Sequence, residues 1–464
     1  MTELQKIWQQ AYQIVPAQLQ RVSEVQRAVT AFNTNIDAVI KISGARLAEM
    51  AVAVKLSPAD LQKTETKLNT PQDVVRGILK CFASGIAEEW LCEDKRVYEW
   101  MRNNLGYDRL QMGGQAGIVA NVLAVLGVQN VLAHTNSHPK LQADLFVDAD
   151  NLVAADADSV MRKARAVNRT TDEPLIHWII EFDAGDRFEY GDIVYVCPKA
   201  NRFIATYDTA NIELKINNGF IKYLDETGFE YMVLSGFHTL TAERGGVERI
   251  EAVVPLIQKW KRQNPRGIIH LELASTQDKT VRLAIVEKLA SLVDSVGLNE
   301  REALDVLEVV APQMYAATEK QRLSAPVLFE ILRVLKQKLQ TPRIQLHFFG
   351  LYLTLQNKNF ALTPTANKRG MMLAATVAAS KAGTGSIESR DNLLWAHGLP
   401  ISEMSVAALN ALAAYLEKPE LAQTGFADIT DWDLIAIPTI LVDKPKTLVG
   451  MGDTISSVSL IGAR

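Results

Sequence analysis

The residues with the most chemical meaning stand near the C-terminus, in the run Thr447-Leu448-Val449-Gly450-Met451-Gly452-Asp453-Thr454-Ile455-Ser456-Ser457. Two glycines let a backbone approach a ligand closely, and the residues that follow start a helix. A helix N-terminus offers unpaired N–H groups and the positive end of a dipole, which suits a phosphoryl group in transit. An Asp held there takes the proton of an attacking hydroxyl while the N–H groups carry the developing charge. The alternative for the same string is a plain turn with Asp453 as the helix N-cap.

Four further runs supply complementary groups. Gly113-Gly114-Gln115-Ala116-Gly117 precedes an Ala-, Val- and Leu-rich stretch. Its glycines open a loop for close contact and Gln115 is a donor for a ligand hydroxyl; the plain alternative is a helix-start turn. In Asn33-Thr34-Asn35-Ile36-Asp37 a carboxylate follows a strand in a polar loop, where it accepts from hydroxyls or closes an Asx turn. His270-Leu271-Glu272 and Asn299-Glu300-Arg301-Glu302 both fall at expected strand ends and both supply carboxylates. Mg2+ takes a few oxygen ligands and keeps waters and substrate phosphates, so one or two carboxylates suffice. Asn299 with Glu302 three residues on is also a capping box, and the two roles are compatible.

The elements that must position these groups follow one grammar. Short apolar runs with polar ends fall at 29–32, 131–133, 231–234, 268–271 and 295–298, and helical patterns at 117–126, 246–263, 279–293 and 328–339. Strand, polar end, helix, repeated, predicts a parallel sheet with helices on both faces. Residues 2–27 read as helix. Residues 175–207 break the rhythm with strand-like runs at 176–182, 193–196 and 202–207, and Gly185 and Gly191 punctuate them as turns. Such a patch of antiparallel strands predicts a separate small sheet, which segments 37–43 and 86–90 complete. A lid of that kind excludes water from a reacting phosphate.

A chain of 464 residues exceeds one ordinary core, so a large domain with a smaller one is expected. A formal net charge of -4 gives no electrostatic footprint for nucleic acid or an anionic membrane. Cys81, Cys92 and Cys197 cannot all pair and form no CxxC string, which fits reduced thiols. The first residues lack the apolar core of a signal peptide, and no run approaches the ~20 apolar residues that span a bilayer. The expected address is cytoplasmic. No GxxxxGK[ST] string is present, which argues against a P-loop enzyme.

In this order the five runs resemble the ADP-dependent glucokinases and phosphofructokinases of the ribokinase-like superfamily. The likeness extends from Asn33 to Ser457 and takes in Ile176-His177 and Asn201-Arg202-Phe203-Ile204. It implies a three-layer α/β/α domain over 1–36, 114–165 and 208–464, with a smaller, mainly β lid over 37–113 and 166–207. It also implies ADP as donor with AMP released, Mg2+ or another divalent cation, and a sugar or sugar phosphate as acceptor. By the same resemblance Asp453 is the base, Gly450 and Gly452 frame the anion hole, and Arg202 meets the nucleotide phosphates. Glu272 and Glu302, with Asn299, organise the metal through its waters. Asp37, Gly114, Gln115 and His177 contact the sugar, and Glu89, in preference to its neighbour Glu88, reaches in from the lid.

His347-Phe348-Phe349, Tyr352 and Ile437-Pro438-Thr439 resemble segments lining an adenine pocket, although aromatic residues there also suit a core. Fructose 6-phosphate ranks first as acceptor, with glucose as a second activity and glucokinase alone as the alternative. Lys163, Arg165, Arg187 and Lys199 are the cations available for a sugar phosphate. Readings from other classes are an ATP-using kinase of a nucleoside or vitamin, and an inactive nucleotide-binding relative. Asp453, Glu272, Glu302 and Arg202 together argue against inactivity.

Overall fold

The computed structural model describes residues 1–61, 63–190 and 193–464; Gly191, read above as a turn, lies outside them. Eleven strands form one sheet. Seven are parallel, in the spatial order Arg343–Phe348, Ser295–Asn299, Ile268–Glu272, Tyr231–Leu234, Ala28–Ala31, Val131–Ala133 and Leu152–Ala155. They are almost wholly buried, as both-face coverage requires. Met161–Lys163 adds antiparallel at one edge, and Leu351–Asn357, Trp432–Pro438 and Phe426–Ile429 at the other. Helices Gln115–Leu126, Pro364–Thr384 and Met451–Ile461 pack together as one set. Gly246–Gln263, Lys279–Ile285, Glu300–Val310 and Ala325–Leu339 form another.

This topology decides where a ligand goes. The chain runs from Ala28–Ala31 outward to Leu152–Ala155, then returns to the other side of its first strand at Tyr231–Leu234. Strand order reverses there, and ligands bind outside the carboxyl ends of the strands at such a point. The loops that leave those two strands touch: a Cβ on Gly236 would lie 2.7 Å from Asn33 Cβ.

A six-stranded sheet runs Lys67–Leu68, Glu88–Cys92, Asn201–Tyr207, Ile176–Phe182, Asn35–Lys41 and Arg109–Gly113. It is mixed rather than antiparallel, because three of its pairings are parallel. The run at 193–196 does not join it. That run pairs with Arg187–Tyr190 as a hairpin packed against the helix Gly44–Ala53. One face of the six-stranded sheet is apolar, with Ile36, Ala38, Trp178, Ile180, Phe203 and Trp90 in the core beneath its helices. Alternation along the strands then sends their neighbours to the opposite face.

Local departures from expectation have simple causes. The first helix breaks into Glu3–Ala11, a 3-10 turn at Tyr12–Ile14, and Val15–Val22, where Pro16 sits in the first turn. Asp37 lies within the strand Asn35–Lys41 and not in a loop. The helical pattern at 279–293 shortens to Lys279–Ile285 and closes in a π turn. All three cysteines are free and buried, and among the described residues no helix is long and apolar enough to cross a membrane.

Candidate active site

Asp453 is the third residue of the helix Met451–Ile461 and not its N-cap. Gly450 takes that place at φ 63°, a left-handed conformation that only glycine adopts freely. Relieved of capping, the Asp453 carboxylate crosses to the helix Gln115–Leu126 and accepts from Gln115 Nε2 at 2.8 Å. Gln115 Oε1 in turn accepts from the Gly236 N–H at 3.1 Å, so three separate chain segments fix the carboxylate's position. Asp453 is only 9% exposed. Burial raises its pKa, against the opposing pull of Gln115, Lys381 and His238. Gly452 is required by its neighbour, since a Cβ there would lie 2.7 Å from His347 Nε2.

Glu272 ends one parallel strand and Asn299 the next. His270 Nε2 lies 3.0 Å from Glu272 Oε2, and its Nδ1 is 2.9 Å from Ser295 Oγ, which fixes the ring that orients the carboxylate. The capping box is formed in full. Asn299 Oδ1 accepts from the Arg301 and Glu302 N–H groups at 2.9 Å each, and Glu302 Oε2 accepts from the Asn299 N–H at 2.8 Å. Asn299 therefore spends its side-chain oxygen on the helix. Burial, then the charges of Glu302 and Asp453, push the Glu272 pKa well up. Burial with Asp453, Asp305 and Glu300 pushes Glu302 to about 8, against the bond from Asn299. These are hard oxygen donors that raise one another's pKa, and carboxylate oxygen is the ligand type a small divalent cation takes. Among the described residues no group of three or more His, Cys, Asp or Glu side chains converges as a complete cage.

The smaller sheet faces this centre with an acidic row. Its register sets Asp37 opposite His177 and His177 opposite Thr206, and Thr206 Oγ1 donates to Glu89 Oε1. Glu89 thus points to the cleft, whereas Glu88 turns to Lys80 and the Trp90 indole. His177 Nε2 lies 2.9 Å from Asp208 Oδ2 and its Nδ1 lies 3.9 Å from Glu89. Burial alone would depress the His177 pKa, but Asp208, Glu89 and Asp37 outweigh it and raise the value. Asp37 is raised by burial, against His177, Asn35 and Gln111. Gly114, at φ 72°, begins the helix that carries Gln115.

Some expected groups are not brought together. Arg202 shares a face with Thr206 but stands four residues along the strand, about 13 Å away, exposed beside Glu181. Lys163 pairs with Asp148 and Asp150, and Arg187 with Glu189 on the hairpin behind the sheet. Arg165 and Lys199 are exposed. None of these four joins the acidic row.

A cavity of about 420 Å³ lies on the other side of the Gly450–Asp453 turn, lined by His347, Phe348, Tyr352, Thr439, Leu448 and Gly452 among others. It gathers residues from both segments read as adenine-lining. His347 is 5% exposed, its Nε2 has no hydrogen-bond partner, and burial holds its pKa down at about 4.

The expected set lacks Asp208, which extends the acidic row, and two further residues. His238 follows the strand Tyr231–Leu234, and its buried Nδ1 has no partner. Its charged neighbours are Glu89, His177 and Asp208 on one side of the cleft and Asp453 on the other. The rule that strand ends carry function, applied to this strand, would have found it. Lys381, in the last turn of Pro364–Thr384, is buried and donates to Gly450 O at 3.1 Å and Thr454 Oγ1 at 3.3 Å. A single Lys in an Ala-rich helix carried no sequence signal.

The ADP-specific phosphofructokinase/glucokinase conserved region matches residues 26–462. The chain belongs to that family. The ADP-dependent glucose/glucosamine kinase of Pyrococcus furiosus is 32% identical over 98% of both chains. Among solved structures, a last common ancestor of ADP-dependent phosphofructokinases from Methanosarcinales superposes with a TM-score of 0.84 at 28% identity, covering 99% of this chain and 98% of that one. An ADP-dependent kinase in complex with fructose-6-phosphate and ADPβS superposes at 0.83 and 27% identity, covering 100% and 98%. The ribokinase-like α/β architecture expected of the family is the one observed.

Proposed function

We propose that the protein transfers the β-phosphoryl group of ADP to a hydroxyl of fructose 6-phosphate, yielding fructose 1,6-bisphosphate, AMP and a proton, with glucose as a second acceptor. The Gly450–Asp453 turn carries the reading, because it sets a buried carboxylate beside the free N–H groups of a helix start, between a nucleotide-sized cavity and the acidic row. The acceptor hydroxyl sits against Asp453, positioned by Gln115, Gly114, Asp37 and His177, with Glu89 as a further acceptor. As the oxygen attacks phosphorus, Asp453 takes its proton, and the N–H groups framed by Gly450 and Gly452 hold the charge on the transferred group.

Glu272 and Glu302 hold Mg2+ or a similar cation, with Asn299 acting through the Glu302 carboxylate it fixes. When bound, the cation neutralises charge on the nucleotide phosphates. Segments 37–113 and 166–207 act as the lid, which keeps water from the donor and carries Arg202 to the phosphates as it closes.

A free-hexose kinase is the second reading. It is favoured by the acidic row of Glu89, Asp37 and Asp208, which gives a neutral sugar its acceptors without a paired cation for a sugar phosphate. Steady-state assays of ADP and ATP against fructose 6-phosphate and glucose test both. ADP should support turnover with stoichiometric AMP, and kcat/KM should be higher for fructose 6-phosphate. Equal turnover with ATP refutes the donor assignment, and turnover of glucose alone replaces the first reading with the second.

A further inference from the structure

Lys381 has no part in the mechanism above, yet its surroundings are unusual for a lysine. It is 8% exposed, and its ammonium donates to two neutral oxygens, Gly450 O and Thr454 Oγ1. Thr454 Oγ1 also donates to Gly450 O, at 2.7 Å. Burying a cation against neutral acceptors is costly, and burial accordingly brings its pKa to about 8, with Asp453 and Asp37 the charges that sustain it. A methionine would fill the same space without that cost. The charge stands directly behind the one residue whose left-handed backbone opens the helix Met451–Ile461.

We propose that Lys381 is a positioning residue for phosphoryl transfer: it ties the Gly450 carbonyl back, so that only N–H groups face the anion hole, and it places a fixed positive charge behind the first helical turn. The inference rests on the reading of that turn as the anion hole. Its charge and its hydrogen bonds are separable. Lys381→Gln retains a donor for Gly450 O and loses the charge, whereas Lys381→Met loses both.

In the full-length enzyme with saturating ADP and sugar, both variants should lose about 10- to 100-fold in kcat. KM for each substrate should stay within about threefold, because the charge acts on the transition state and not on ground-state binding. Loss of packing alone would lower the melting temperature without that split. Parental kcat in Lys381→Gln overturns the inference while leaving the proposed activity standing. A parent enzyme without ADP-dependent turnover removes the activity, and the inference with it.

Should both variants fold poorly, Lys381→Ala with an added amine decides the matter. A cavity of about 520 Å³, lined by Lys381, Ile118 and Arg165 among others, gives small molecules a route to the site. Saturable recovery of kcat by ethylammonium, and not by neutral propanol, supports the role of charge. Recovery by both or by neither overturns it.

Discussion

Replacing Asp453 by asparagine is the sharpest perturbation available, because it exchanges one oxygen for an amide nitrogen and leaves most of the local structure in place. Asn Oδ1 still accepts from Gln115 Nε2, the bond that now fixes the carboxylate at 2.8 Å. No cap is lost, since Gly450 holds that position. Two small stability effects oppose each other. An acidic group in the first turn gains about 0.3–1 kcal/mol from the helix dipole, while burial of the same charge raises its pKa and so acts against the folded state. The melting temperature should therefore change little. What disappears is the base. General base catalysis contributes typically ~10²–10⁴-fold, or about 2.8–5.6 kcal/mol at roughly 1.4 kcal/mol per decade. Coupled assay of AMP formation should show kcat reduced by that factor, with ADP affinity unchanged or raised by the loss of one negative charge. A kcat within about threefold of the parent, at an unchanged melting temperature, would falsify the assignment of Asp453 as base.

Three other perturbations address separate parts of the site. Glu302→Gln preserves the capping box, because Gln serves at that position as well as Glu. The melting temperature should hold while the Mg2+ concentration for half-maximal activity rises at least about tenfold; an unchanged metal requirement assigns Glu302 to the helix alone. Glu89→Ala should reduce kcat/KM for glucose about tenfold more than for fructose 6-phosphate, the share of one or two lost hydrogen bonds, and equal losses would show the specificity contact lies elsewhere. His177 has a raised pKa in the folded state, so its protonated pairing with Asp208 stabilises fully below the unfolded value near ~6.5 and is lost as pH rises through the folded one. The melting-temperature gap between parent and His177→Gln should be wider at pH 6 than at pH 9; a constant gap rules out the linkage.

How much of this was legible beforehand depends on burial chemistry. The strands Val131–Ala133 and Tyr231–Leu234 and the helix Gly246–Gln263 match expectation at both ends, because strands buried on both faces read as unbroken apolar runs and amphipathic helices show their period. The last parallel strand, Arg343–Phe348, and its antiparallel neighbour, Leu351–Asn357, have no counterpart among the expected strands. Their apolar pattern is interrupted by Arg343, Gln345 and Gln356, which are buried in a side-chain network. Arg343 donates to Asn367, Ser295 and Gln345, and Asn367 donates to Gln356. A polar group satisfied inside a sheet looks, in sequence, like a loop. The candidate site was legible where a motif is local, as at Asn299–Glu302, and obscure where it is assembled. The bond from Gln115 to Asp453 joins residues 338 positions apart, and Lys381 and His238 acquire meaning only once distant segments meet.

The balance of charge in the cleft explains why donor and metal should act as one ligand. Glu272, Glu302 and Asp453 are all buried, and the pKa values of the two glutamates are pushed up in part by the other carboxylates of the set. Facing them are a helix N-terminus and the ammonium of Lys381. The other buried cation of the region, Arg343, has its guanidinium bonded to neutral side chains. Across the cleft stand Asp37, Glu89 and Asp208, which outnumber the imidazole among them, His177. A nucleoside diphosphate entering this space adds negative charge beside glutamates whose raised pKa values already mark the cost of ionising there, so without a cation they meet it in their protonated form. In the proposed mechanism a divalent cation reverses the balance, because it favours the ionised form of the same carboxylates and offsets the charge of the donor. Each ligand then raises the affinity for the other by the same factor. On that proposal the acidic centre, which would be a defect in a protein built only for stability, makes nucleotide binding conditional on the metal.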